Sequence, residues 1–143
     1  MDQDYEFKHK KEEYFSKLIF DGFISALNSH KTLFKTLDSK KETHGLTIAF
    51  AYLTEAHNYY LNAATLLAVD VELLDIRSEF DRLFYHFSEY NKAVLEDTQA
   101  TLSHQWSDTK FRDFVNSFKK VANLLNIVGV DFFVNEALSS DKK

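Results

Sequence analysis

The sequence has no cysteine and no proline, and its only glycines are Gly22, Gly45 and Gly129. Without cysteine there is no disulfide, no thiolate metal ligand and no thiol nucleophile. Without proline, and with so little glycine, the chain lacks the residues for the tight turns that sheet proteins need about every 8–12 residues. Three isolated glycines cannot build a phosphate-cradling loop, a nucleophile elbow or a dinucleotide fingerprint. An excess of positive charge is also missing. Seventeen Lys and Arg against 22 Asp and Glu give a net charge of −5, so the clustered cations that bind nucleic-acid phosphates are not expected. The most apolar stretch, Ile127 to Val134, is too short to span a membrane and is interrupted by Asp131. The polar, acidic start from Met1 to Glu6 is unlike a cleavable signal peptide. The expectation is a soluble protein that is cytoplasmic, or exported without such a peptide, and that has neither a membrane span nor a nucleic-acid partner.

What remains is helix. The 143 residues, 45% hydrophobic and 27% charged, suit one globular domain over 1–143. Apolar side chains recur three and four apart in four segments, at about 5–37, 46–68, 71–103 and 109–138. The first carries Phe15, Leu18, Ile19, Phe23, Ala26, Leu33, Phe34 and Leu37 on one face, and Gly22 lets another helix approach closely. The second carries Leu46, Ala49, Leu53, Ala56, Tyr60, Ala63 and Leu67. The stripe then changes phase to Leu73, Ile76, Phe80, Leu83, Phe87, Tyr90 and Val94, which predicts a break capped by Asp70; the alternative is one helix through both. Ser39 and Glu42 have capping-box spacing. The last segment places Phe111, Phe114, Val115, Phe118, Val121, Leu125, Val128 and Phe132 inward, with Gly129 loosening or kinking it. The tail after Leu138 is expected to fray. The prediction is an all-α, up-down antiparallel four-helix bundle.

The chemistry on these stripes is sparse. Carboxylate-bridged di-iron bundles need two Glu-x-x-His pairs and this chain has one, Glu6 and His9, while the reversed pair His86 and Glu89 reads as a surface contact. His9, His30 and His44 read as solvated, and no metal or other cofactor is expected. Arg82 and His86 resemble the Arg–His element of HEPN-type ribonucleases, although the three residues between them are fewer than that pattern has. Ala56-His57-Asn58-Tyr59-Tyr60-Leu61 and the following Asn62-Ala63-Ala64-Thr65-Leu66 resemble the histidine-phosphotransfer signature. That resemblance implies a signalling module with His57 as phosphoacceptor. Tyr60 stands where the family has a Lys, and Leu61 where it has a Gly.

Gln105-Trp106-Ser107-Asp108-Thr109-Lys110-Phe111-Arg112-Asp113-Phe114 resembles the helical hairpin bend of the WXG family of small type VII secretion substrates. Its turn carries Trp-x-Gly, or Trp-x-Asp in divergent relatives, and here Asp108 takes the third position. Phe132 and Glu136 have the spacing of that family's aromatic–acidic export signal. The resemblance covers about Leu73 to Leu138 and implies a non-catalytic secretion-associated partner protein. Independently of any family, Trp106 is expected to fold over the helix ends, Asp108 to cap exposed amides, and Phe111 and Phe114 to pack beneath.

Fourteen Phe, seven Tyr and one Trp exceed what four stripes need. Phe20, Tyr59, Phe84, Tyr85 and Phe133 fall beside the stripes and, if exposed together, would form a partner surface. The functional expectation is a helical interaction module, not an enzyme, that binds a protein partner or itself.

Overall fold

An alternation of four and three residues runs through the buried positions and decides how the helices pack. The computed structural model describes residues 2–37, 42–69, 74–99 and 105–139. They form α1 (Asp2–Leu37), α2 (Glu42–Val69), α3 (Leu74–Gln99), α4 (Gln105–Leu124) and α5 (Val130–Ser139), with no strand among the described residues. Ala49, Leu53, Ala56, Tyr60, Ala63 and Leu67 are buried on α2, and Ile76, Phe80, Leu83, Phe87, Tyr90 and Val94 on α3. Such a repeat, close to 3.5 residues, keeps one seam facing its neighbours when helices incline by about 20°. The bundle expected from the sequence is present. Asp70 as a cap, the Ser39–Glu42 capping box, the inward placing of Phe34, Leu37 and Leu73, the third segment's end near Ser103 and the tail lie outside the described residues and side chains.

Two tight hairpins make up the bundle, α1 against α2 and α3 against α4, and thinner seams join α1 to α4 and α2 to α3. The first hairpin is close because its facing residues are small. Ala49, Ala56 and Ala63 recur every seventh position of α2, and Gly22 of α1 lies under the Tyr60 ring. A methyl group at Gly22 would sit 2.7 Å from that ring. The stripe's phase change corresponds to a reversal of the chain, not to one long helix. α3 runs back beside α2: Arg77 donates from Nη2 to the Leu67 carbonyl at 2.8 Å, and the Tyr60 and Phe87 rings meet at 5.3 Å. Across the middle, Phe15 meets Phe80 at 5.8 Å and Tyr60 meets Phe114 at 6.1 Å. Phe23 and Phe118 stack nearly parallel at 3.9 Å.

The last segment differs from expectation, because it is two helices. α4 ends in a Schellman turn: Asn126, at φ 57°, donates to the Asn123 carbonyl at 3.3 Å, and Ile127 donates to Ala122 at 3.0 Å. Gly129, at φ 79°, completes the reversal. The stripe restarts in a new phase, so α5 buries Val130, Val134 and Ala137. Val128 and Phe132, expected inside, face outward. Phe133 moves the other way and packs edge-on against Phe20 of α1 at 5.5 Å. Phe20, Tyr59 and Phe84 are also partly buried against the core, so of the five off-stripe rings only Tyr85 is exposed. No described helix is long and apolar enough to cross a membrane.

Candidate functional site

Polar residues that continue an apolar stripe must be bonded where they are buried. On α1 the stripe from Ala26 to Leu33 passes through His30, which is fully buried. This overturns the solvated reading of His30. Its ring stacks on Phe111 of α4 at 3.9 Å and 9°, and its Nε2 lies 3.0 Å from Asp108 Oδ1. Arg112, one turn on, donates from Nε to the other Asp108 oxygen at 3.3 Å. Beside this group, Ser29 donates to the Ala26 carbonyl at 2.6 Å, which leaves its oxygen to accept from the Tyr90 hydroxyl of α3 at 2.9 Å. Burial raises the Tyr90 pKa far above the ordinary phenol, so that hydroxyl keeps its proton.

The charges here depend on one another. Burial lowers the pKa of His30, and the hydrogen bond and charge of Asp108, which act in the opposite sense, do not offset it. The ring is therefore neutral near pH 7 and donates Nε2–H to Asp108. For Asp108, burial alone would raise the pKa, but the His30 and Arg112 interactions prevail and hold the carboxyl below its ordinary range.

At the start of α4 the expected cap is displaced. The helix begins at Gln105, so Asp108 lies within its first turn and turns toward α1. The capping carboxylate comes from Asp97 of α3, whose Oδ2 accepts from the Ser107 amide at 2.9 Å and its hydroxyl at 2.7 Å. Both residues are buried, and both continue their stripes: Asp97 follows Tyr90 and Val94, and Ser107 precedes Phe111. Trp106 consequently falls on the outer side of the first turn and remains 51% exposed, with Lys110 Nζ 4.6 Å above its ring. The burial expected of Trp106 is absent. Phe111 and Phe114 are fully buried, 6.0 Å apart, as expected.

The far end of α4, the turn after it and the first turn of α5 carry three exposed apolar side chains, in addition to others such as Val69 and Tyr85 elsewhere. Leu124 closes the helix, Val128 projects from the turn at 93% exposure, and Phe132 in the first turn of α5 is 70% exposed. Glu136, the other half of the expected export signal, is paired with Lys31 of α1. His57 is half-buried against Phe84 and Phe87, with ring centroids 5.8 and 6.4 Å away. Tyr60, at the position of the phosphotransfer family's Lys, is fully buried and offers no charge. Arg82 is paired with Glu79, while His86 lies edge-on to Tyr85, so these two residues have separate neighbours. Among the described residues, no group of three or more His, Cys, Asp and Glu side chains comes together.

Comparisons of the chain with protein-family models, with characterised proteins and with solved structures returned no match.

Proposed function

We propose that the chain is a non-catalytic helical interaction module that presents one end of its bundle to a protein partner or to a second copy. The observation that carries this reading is the row Leu124, Val128 and Phe132. A Schellman turn holds the chain there in a defined shape, and yet it keeps three large apolar side chains in water. Large apolar side chains left exposed close together along the chain are what partner sites use. The polar groups support the same reading. The buried His30, Asp97 and Ser107 and the part-exposed Asp108 are engaged in joining helices.

Within that reading, a WXG-like secretion-associated role rests on the Trp106–Asp108 helix start, the Phe111 and Phe114 rings below it, and the exposed Phe132 one turn before Glu136. The test is association measured by sedimentation, together with capture of partners from the native source. Val128→Ser combined with Phe132→Ser should abolish association and leave helical content unchanged, because neither side chain belongs to the core. A wild-type chain that is monomeric at every concentration, and that captures the same proteins with and without the two substitutions, would refute the proposal.

A further inference from the structure

Between α2 and α3, two small residues leave a space. Ala64 and Ala68, one turn apart on α2, carry only methyl groups, and these two helices meet along one of the bundle's thinner seams. The result is a cavity of about 240 Å³ lined by Ala64, Leu67, Ala68, Arg77, Phe80 and Asp81. Leu67 and Phe80 are buried and make its floor, while Ala68, Arg77 and Asp81 are exposed at its mouth. Arg77 is fixed there by its bond to the Leu67 carbonyl, which uses one of the five N–H groups of its guanidinium. The α2 surface beside the cavity is uncharged. From Ala56 to Val69 the helix has no Asp, Glu, Lys or Arg, although Asn58, Leu61, Thr65 and Val69 are exposed. The solvent face of a helix ordinarily carries charges.

The row Leu124, Val128 and Phe132 has the complementary form. Phe132 projects an exposed ring, and a cavity of about 150 Å³ already admits benzene. Asp131, exposed beside Phe132, is opposite in sign to Arg77. Lys120, exposed one turn before Leu124, is opposite in sign to Asp81. Val128 and Leu124 match the uncharged face around Leu61 and Val69, where no charge has to be stripped of water. With a net charge of −5 each, two copies repel unless they meet where charges are paired or few. We propose that the partner of this row is a second copy of the chain, whose α2–α3 cavity takes the Phe132 ring and sets Arg77 against Asp131. The proposal rests on the reading of Leu124, Val128 and Phe132 as the partner-binding end. Ring and cavity lie on different elements, so a copy that has given its ring still offers its cavity. Such a head-to-tail contact adds further copies, into a closed ring or an open filament.

Ala68→Glu fills the mouth of the cavity and places a carboxylate where Asp131 would arrive, at an exposed position outside the core. Sedimentation of the wild type should show species beyond a dimer as concentration rises. Ala68→Glu by itself, and Val128→Ser with Phe132→Ser by itself, should each remain monomeric with helical content unchanged. Mixed together, they should form a one-to-one complex and nothing larger, because the first still has its ring and the second its cavity. In the unsubstituted chain, the Ala64 and Ala68 methyl signals in NMR should shift on dilution in step with those of the Phe132 ring. A mixture that stays monomeric, Ala68→Glu associating like the wild type, or alanine signals that hold still while the Phe132 signals move would each overturn the inference. A monomeric wild type whose captured proteins change with the two serines would overturn it too, and leave the partner-binding row standing. A serine variant that associates and captures as the wild type does would overturn both.

Discussion

Gly22 has no side chain because the Tyr60 ring occupies the space one would fill. Two effects oppose each other at this position. Alanine in place of a helical glycine stabilises by about 1 kcal/mol, whereas overpacking a filled core costs about 1–3 kcal/mol. The obstacle is a fully buried ring and not a flexible chain end, so the cost prevails. Gly22→Ala should lower the midpoint of denaturant unfolding, and a raised midpoint would mean that Tyr60 can move aside. The aromatic residues of the α4 start divide in the same way. Phe111→Ala removes a fully buried ring that supports His30, and should cost about 3–5 kcal/mol of unfolding free energy. Trp106→Ala removes a half-exposed ring and one contact with Lys110, worth about 0.5–1 kcal/mol. The sequence shows that both are aromatic residues near a helix start. The stripe places Phe111 inside, but it does not show that Trp106 lies on the outer side, because that depends on α4 beginning at Gln105, where a carboxylate from another helix bonds its first turn.

At the scale of elements, helix ends are set by single polar residues. Asp97 satisfies the Ser107 amide and hydroxyl at once. Asp97→Ala should therefore destabilise by at least the typical cap value of about 1 kcal/mol, measured by thermal unfolding. Asn126 ends α4 in the left-handed region, where alanine costs roughly 1–2 kcal/mol. Asn126→Ala should be destabilising and Asn126→Gly close to neutral, and thermal midpoints distinguish them. The inward stripes of α2 and α3 were legible because apolar spacing alone defines them, and so was the division between these two helices, from the change of phase. His30, Asp97 and Ser107 left a fainter signal. Each is a polar residue at the position where an apolar stripe calls for another member, but its bonding partner lies on a different helix and has no mark in the local pattern. The turn at Asn126 was misread for a related reason. Gly129 is the more conspicuous residue, while asparagine marks a helix end only once its backbone angle is known.

For the whole molecule, acidity acts through two groups in the same direction. His30, with its pKa lowered in the fold, stabilises the protein fully above 6.5 and progressively less as pH falls toward its lowered value. Asp108, also lowered, contributes above its ordinary value of 3.8, and that contribution is lost as pH falls through its folded value. Urea unfolding at a series of pH values should thus show one decline below 6.5 and a further one in strong acid, with His30→Gln removing the first. The division into two hairpins also orders events in time. Gly22 meets Tyr60 across a single reversal of the chain, whereas Ser29 meets Tyr90 after 61 residues and His30 meets Asp108 after 78. Closing longer loops costs more entropy before contact is rewarded, so the hairpins should form before they dock. Substituting His30 or Asp108 should then accelerate unfolding in stopped-flow measurements and leave the refolding limb almost unmoved, while disturbing Tyr60 slows refolding itself.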